Sequence, residues 1–187
     1  MQDKKLIWQE KSRKKGGEYR IFTVDAVERV HEDGASNTFF AIESQPWITV
    51  IPLIKEDGVE KFVMVRQFRH GSATITTEFP AGIVDIGENP VEAAQRELNE
   101  EVAYRSHKVT FLGANNPNPA LFTNHMHIFL AEDLTLLPNQ ELDPDERIEI
   151  VKIPVTTVLE TMGYGEMDHA LMVMALFWYQ RHLMKNS

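Results

Sequence analysis

The sequence predicts an α/β (α+β) fold: a mixed sheet flanked by helices and preceded by a small antiparallel β-sheet. Three observations predict it. The first forty-odd residues read as strands and turns, one central segment carries a full helix-start signal, and the second half mixes strand-like runs with two further helices.

"LIWQEK" and "YRIFTVDAVERV" read as strands joined through "KKGGE", with Gly16-Gly17 as the hairpin connection. "NTFFAIE" supplies a third strand. Pro46 then punctuates the chain ahead of "WITVIPLI", a near-continuous apolar run that suits a strand buried on both faces. "EDGVE" turns the chain back into "KFVMVRQFR". Further strands are expected at "KVTFLGA", "HMHIFLAE" and "RIEIVKI". Helices are expected at "VTTVLETM", stopped by Gly-Tyr-Gly, and from about Asp168 to His182. We divide the chain into residues 1–45, a strand region, and residues 46–187, the main domain.

The clearest helix starts at Asn89. Asparagine is a good N-cap, Pro90 fits the first helical position, and Glu92 completes a capping-box pair with Asn89. At 100° per residue, Val91, Ala94, Leu98 and Val102 form an apolar stripe. Glu97 and Glu101 stack one turn apart at the stripe's flank, with Glu100 and then Arg96 further round toward solvent. Acid clusters on helices are commonly solvated faces. Two carboxylates beside a buried stripe, however, repel each other unless a cation lies between them. A hard divalent ion with oxygen ligands meets that need.

Bulk composition narrows the partners. The 187 residues contain no cysteine, which excludes disulfides, thiolate nucleophiles and Cys-ligated zinc. The formal net charge of −9 opposes nucleic-acid binding. An anionic small molecule is acceptable only where arginines or bound metal reverse the field locally. The charged start "MQDKKLIWQEK" is not expected to act as a secretory signal, and "ALMVMALFWY" is too short to span a bilayer. A cytoplasmic protein without membrane partners is expected.

Gly82, five residues, Glu88, seven residues, then Arg96-Glu97-Leu98-Asn99-Glu100-Glu101 stand at the spacing of the Nudix box. The chain resembles a Nudix hydrolase, which implies an α/β/α sandwich. "VRQFRHGSATITTEFPAG", followed by "VDIGENPVEAAQREL", is similar to the ADP-ribose and nucleoside-diphosphate-sugar pyrophosphatase branch, as is Pro119, sixteen positions past Ala103. The resemblance implies Mg2+, which Mn2+ can replace, bound by Glu97, Glu101 and the carbonyl of Ala81. Glu100 would act directly or through water, and Glu88 and Arg96 would lock loop to helix. It implies that Arg69 holds the diphosphate and that a loop glutamate activates water, Glu146 fitting the pattern best and Glu141 second. Trp8 and Phe22, near Arg29, fall where relatives sandwich the nucleobase between two subunits with exchanged N-terminal strands. The same two aromatics also suit a plain core.

The chain departs from the family pattern in two places. Ala103-Tyr104 replaces Gly-aliphatic at the end of the box, so a shifted helix end is expected, because alanine carries a Cβ that glycine lacks. Ala120 and Asn124 replace the glycine and glutamate of the loop around Pro119, which favours breadth among nucleoside diphosphate sugars, GDP-mannose included. Dinucleoside polyphosphate or nucleoside triphosphate hydrolysis is the alternative reaction, and a non-catalytic sensing module the alternative class. His125 and His127 alternate on one strand and are read as structural.

Overall fold

The computed structural model describes residues 4–186. Residues 1–3, at the head of the 1–45 region, and residue 187 lie outside them. Backbone contacts divide the chain into two units: residues 1–45 with 116–125, and residues 46–115 with 126–187.

The first unit is a three-stranded antiparallel sheet in the order β1 (Trp8–Glu18), β2 (Thr23–His31), β3 (Ser36–Glu43). Contrary to the sequence expectation, Gly16-Gly17 is not the hairpin turn. β1 runs through both glycines, and the chain reverses at Tyr19–Phe22, where Tyr19 N–H donates to the Phe22 carbonyl at 2.9 Å. The glycines mark a bulge between Lys15 and Gly17 instead. A Cβ on Gly16 would lie 2.9 Å from the Val24 carbonyl oxygen, so the close strand approach requires its absence. The 116–125 segment joins this unit through hydrogen bonds from Ile42 N–H to the Leu121 carbonyl and from the Thr123 hydroxyl to Glu43.

The second unit is built on a mixed seven-stranded sheet. Its main path runs β10 (Ile148–Pro154), β5 (Val59–Arg69), β4 (Trp47–Glu56), β9 (Met126–Leu136), β8 (Tyr104–Asn115). β6 (Thr74–Glu78) pairs with β5, and β7 (Ala81–Ile83) pairs with β4. Only β4 and β9 run parallel. Alternation along the central strands feeds two cores. Ile48, Val50, Val63 and Val65 pack with α1 (Pro90–Val102), and Ile51, Phe62, Met64 and Ile128 pack with α2 (Val155–Thr161) and α3 (Ala170–Asn186). β4 is buried on both faces as its sequence predicts. α3 begins at Ala170, two residues after the expected Asp168, and extends past His182 to Asn186.

α1 shows how closely local signals set the frame of the site. Asn89 Oδ1 accepts from Val91 N–H at 3.1 Å, and Glu92 Oε2 accepts from Asn89 N–H at 3.2 Å. Its buried face is rotated from the predicted stripe: Val91 is exposed, whereas Ala93, Ala94, Glu97, Leu98, Glu101 and Val102 are buried. The expected shift of the helix end does not occur. α1 stops at Val102, and Ala103 itself takes the left-handed conformation, φ 54° and ψ 41°, that a glycine would take there. An alanine held left-handed costs about 1 kcal/mol. Ala103→Gly is therefore expected to raise stability by about 1 kcal/mol, read as a higher denaturant midpoint; an unchanged or lower midpoint would refute this account.

Candidate active site

Glu97 and Glu101 project from α1 into the interior, 8% and 3% exposed. Both reach the short strand β7. Ala81 N–H donates to Glu101 Oε2 at 3.1 Å, while Glu97 lies against the Gly82 backbone. A Cβ on Gly82 would fall 1.8 Å from Glu97 Oε1, so only glycine admits this carboxylate. Gly82→Ala is expected to weaken divalent-metal binding at least tenfold, measured by calorimetry, without loss of the folded signal. Metal binding of wild-type strength in that variant would remove Gly82 from the site.

The electrostatics of the pair are unusual for surface acids. Burial pushes the Glu97 carboxyl up to about 7, against the opposing pull of Arg96, which sits 2.7 Å away. Glu101 is raised well above the usual carboxylate range, first by burial and then by the charge of Glu97. Such a pair stays partly protonated or recruits a cation.

Arg96 does not point to solvent. It folds back, with Nε and Nη2 each 3.1 Å from Glu88, Nη1 meeting Glu97 and Glu100, and Nη2 donating to the Ile83 carbonyl at 2.9 Å. One guanidinium thus ties the 83–88 loop to the helix and orients two of its carboxylates. Its own charge is stabilised first by Glu88.

Among the described residues, no three acidic or histidine side chains already converge as a ready-made metal cage. The fit to a hard divalent ion rests instead on the buried Glu97–Glu101 pair, the gap left by Gly82 and the backbone at Ala81. Glu100 is less buried and is drawn to Arg96.

Arg69, the last residue of β5, shares its strand face with Val63 and Val65, which pack toward α1. Its Nε and Nη2 form a fork on Glu78, at 2.9 and 2.7 Å. The charges of Glu101 and Glu146 also act on it. Arg66 faces the other side of the sheet and is held by Glu149 and Glu166.

The two loop acids differ in surroundings. The charge of Glu146 bears on Glu97, Glu101 and Arg69. Glu141 lies over the outer side of α1 beside Arg96, Asn99 and Glu100, around an open hollow of about 340 Å³. The segment before them caps the helix: Glu141 N–H donates to the Glu100 carbonyl at 3.1 Å, and the Gln140 side-chain amide to the Glu101 carbonyl at 2.5 Å.

In the first unit, Trp8 packs on His31 and Phe39, and Arg29 approaches the Trp8 carbonyl at 3.4 Å. Phe22 packs on Tyr19, at the opposite end of the β1–β2 ladder. Eight residues of β2 separate the two ends, roughly 26 Å. Pro119 is exposed in a turn in which Leu121 and Phe122 N–H both donate to the Asn118 carbonyl.

Sequence reasoning gave no role to two residues here. Glu78, wholly buried, stands in the quoted "EFPAG" run, and His169, its neighbour in space, carries no motif at all.

With this geometry in view, residues 44–172 match the family model for the NUDIX domain. The ADP-ribose pyrophosphatase of Bacillus subtilis is 32% identical over 140 residues, spanning 74% of this chain and 75% of that protein. The ADP compounds hydrolase NudE of Escherichia coli is 27% identical over 160 residues, spanning 84% and 83%. A crystal structure of an ADP compounds hydrolase superposes with a TM-score of 0.83 at 24% identity, covering 96% of each chain, and shows the same fold. The chain belongs to the Nudix family and is a Nudix hydrolase. Members of that family generally use divalent metal ions, which fits the carboxylate pair described above.

Proposed function

We propose that the protein hydrolyses the diphosphate bond of nucleoside diphosphate sugars, ADP-ribose foremost and GDP-mannose among the others, releasing a nucleoside monophosphate and a sugar phosphate, with Mg2+ as its ion. The observation that carries this reading is the buried Glu97–Glu101 pair brought against Ala81 and Gly82. The relatives named for ADP-ribose and ADP compounds support the substrate class.

When bound, the ion supplies charge neutralisation and a more acidic attacking water. Glu97, Glu101 and the Ala81 carbonyl would hold it, with Glu100 acting directly or through water, and Arg96 keeps Glu97 and Glu100 oriented. Arg69 offers guanidinium N–H groups to the diphosphate. Glu146 takes the proton of the attacking water; its field at the metal carboxylates favours it over Glu141, which sits on the helix's outer side.

Trp8, Phe22 and Arg29 serve base recognition, and Pro119 lines the substrate. A single base lies between Trp8 and Phe22 only if the two rings come from different chains, since one chain holds them roughly 26 Å apart. A homodimer with exchanged N-terminal strands satisfies that condition. Among the described residues no helix is long and apolar enough to cross a membrane, and we place the protein in the cytoplasm.

Product analysis in heavy-oxygen water, across nucleotide sugars, dinucleoside polyphosphates and triphosphates with magnesium varied, tests the reading. Label in a monophosphate product from ADP-ribose supports it. A clear preference for dinucleoside polyphosphates or triphosphates overturns it.

A further inference from the structure

We infer that His169, acting through Glu78, is a positioning residue that presents Arg69 to the substrate's diphosphate. The inference rests on Arg69 holding the diphosphate, as proposed above.

Arg69 ends its strand, so nothing in the backbone beyond it fixes a long, flexible side chain. Glu78 does so: both carboxylate oxygens are engaged by the guanidinium, leaving Nη1 without a partner among the described residues. The Arg69 side chain is 38% exposed whereas Glu78 is 0% exposed. The fork therefore has a fixed buried end and a free outer edge, the geometry a diphosphate oxygen needs.

A carboxylate with no solvent must be held ionised by its neighbours. Burial opposes the charge of Glu78, yet Arg69, His169 and Thr76 together hold it well below the usual carboxylate range. Thr76 Oγ1 donates to Oε1 at 2.5 Å. On the other oxygen, His169 Nδ1 stands 2.9 Å from Oε2. Nδ1 is buried and has no other partner, and its approach is off the line of a well-formed hydrogen bond.

His169 also starts α3: its carbonyl accepts from Met172 N–H at 3.0 Å and from Val173 N–H at 3.2 Å. Its backbone is thereby fixed at the helix start, 91 residues along the chain from Glu78. The oxygen that accepts from Arg69 Nη2 also lies against the imidazole, 2.9 Å from Nδ1. Losing the imidazole frees Oε2 to rotate and loosens the guanidinium, which lowers the effective concentration of its free edge at the diphosphate. The attacking water and the metal carboxylates are untouched, so the loss falls on binding.

Steady-state kinetics on ADP-ribose test this with His169→Ala, His169→Asn and Arg69→Ala. Asparagine places an N–H near the position of Nδ1, and alanine places none. We expect His169→Ala to raise KM about fivefold with kcat within twofold, and His169→Asn to restore KM. Calorimetric titration with ADP should show the same fivefold loss and the same rescue. A general loss of folding would depress kcat and would not discriminate asparagine from alanine. If His169→Ala leaves KM unchanged while Arg69→Ala raises it, the relay fails and the role of Arg69 stands. If Arg69→Ala leaves KM unchanged, the diphosphate assignment fails first.

Discussion

Glu101→Gln is expected to lower kcat on ADP-ribose about a thousandfold or more at saturating magnesium. The substitution keeps volume and can keep a hydrogen bond from Ala81 N–H, so the helix and β7 stay in place. What it removes is a negative charge at a position 3% exposed. Added magnesium is not expected to restore the rate, because on the proposed assignment the variant would lack a charge needed for the chemistry as well as for binding. Calorimetry should show metal binding weakened in parallel. A variant that cleaved ADP-ribose as fast as the wild type would end the metal assignment.

The second large effect concerns pH. Glu97 titrates at about 7 when folded and near 4.5 when unfolded. Between those values the folded, metal-free chain holds more protons than the unfolded one, so its stability falls as pH rises. The difference corresponds to about 3 kcal/mol lost between pH 5 and pH 8. Glu101, shifted in the same direction, adds to the loss. The acids lowered by arginine, Glu78 and Glu88, act oppositely, losing stability only as pH falls below the ordinary carboxylate range, so they do not mask the window. Chelated protein should therefore unfold at lower denaturant at pH 8 than at pH 5.5, and divalent metal should restore more stability at pH 8. Glu97→Gln should lessen the dependence, leaving the part due to the burial of Glu101. Equal midpoints at both pH values in the chelated wild type would contradict the buried-acid description.

Much of this was legible in the chain, and the failures have definite causes. The cap at Asn89 pointed to α1 because it is a local, stereochemical signal, and the family resemblance carried by the spacing from Gly82 through Glu101 pointed to its carboxylates. The helical wheel placed Ala94, Leu98 and Val102 correctly on the buried side but included Val91 and missed Ala93. It set Glu97 and Glu101 at the stripe's flank, whereas α1 turns both inward and leaves Val91 outside. Gly16-Gly17 was misread because glycine serves close strand approach as readily as a turn. β6 and β7, five and three residues long, are too short to show a period. Ala103 ended the helix on time by itself taking the left-handed conformation, at a modest backbone penalty. The contact between His169 and Glu78 has no trace in spacing; it exists only once α3 is laid against β6.

The amide groups of Gln140 and Glu141 that close the carboxyl end of α1 have a mechanical consequence for the acid downstream. Glu146 is tethered on one side at Glu141 and on the other at Ile148, where β10 begins, only two residues away. Its α-carbon stays within about 7 Å of that of Ile148. On the proposed assignment of Glu146 as the base, such a short leash would confine proton abstraction to a small volume, whatever sugar occupied the far end of the ligand.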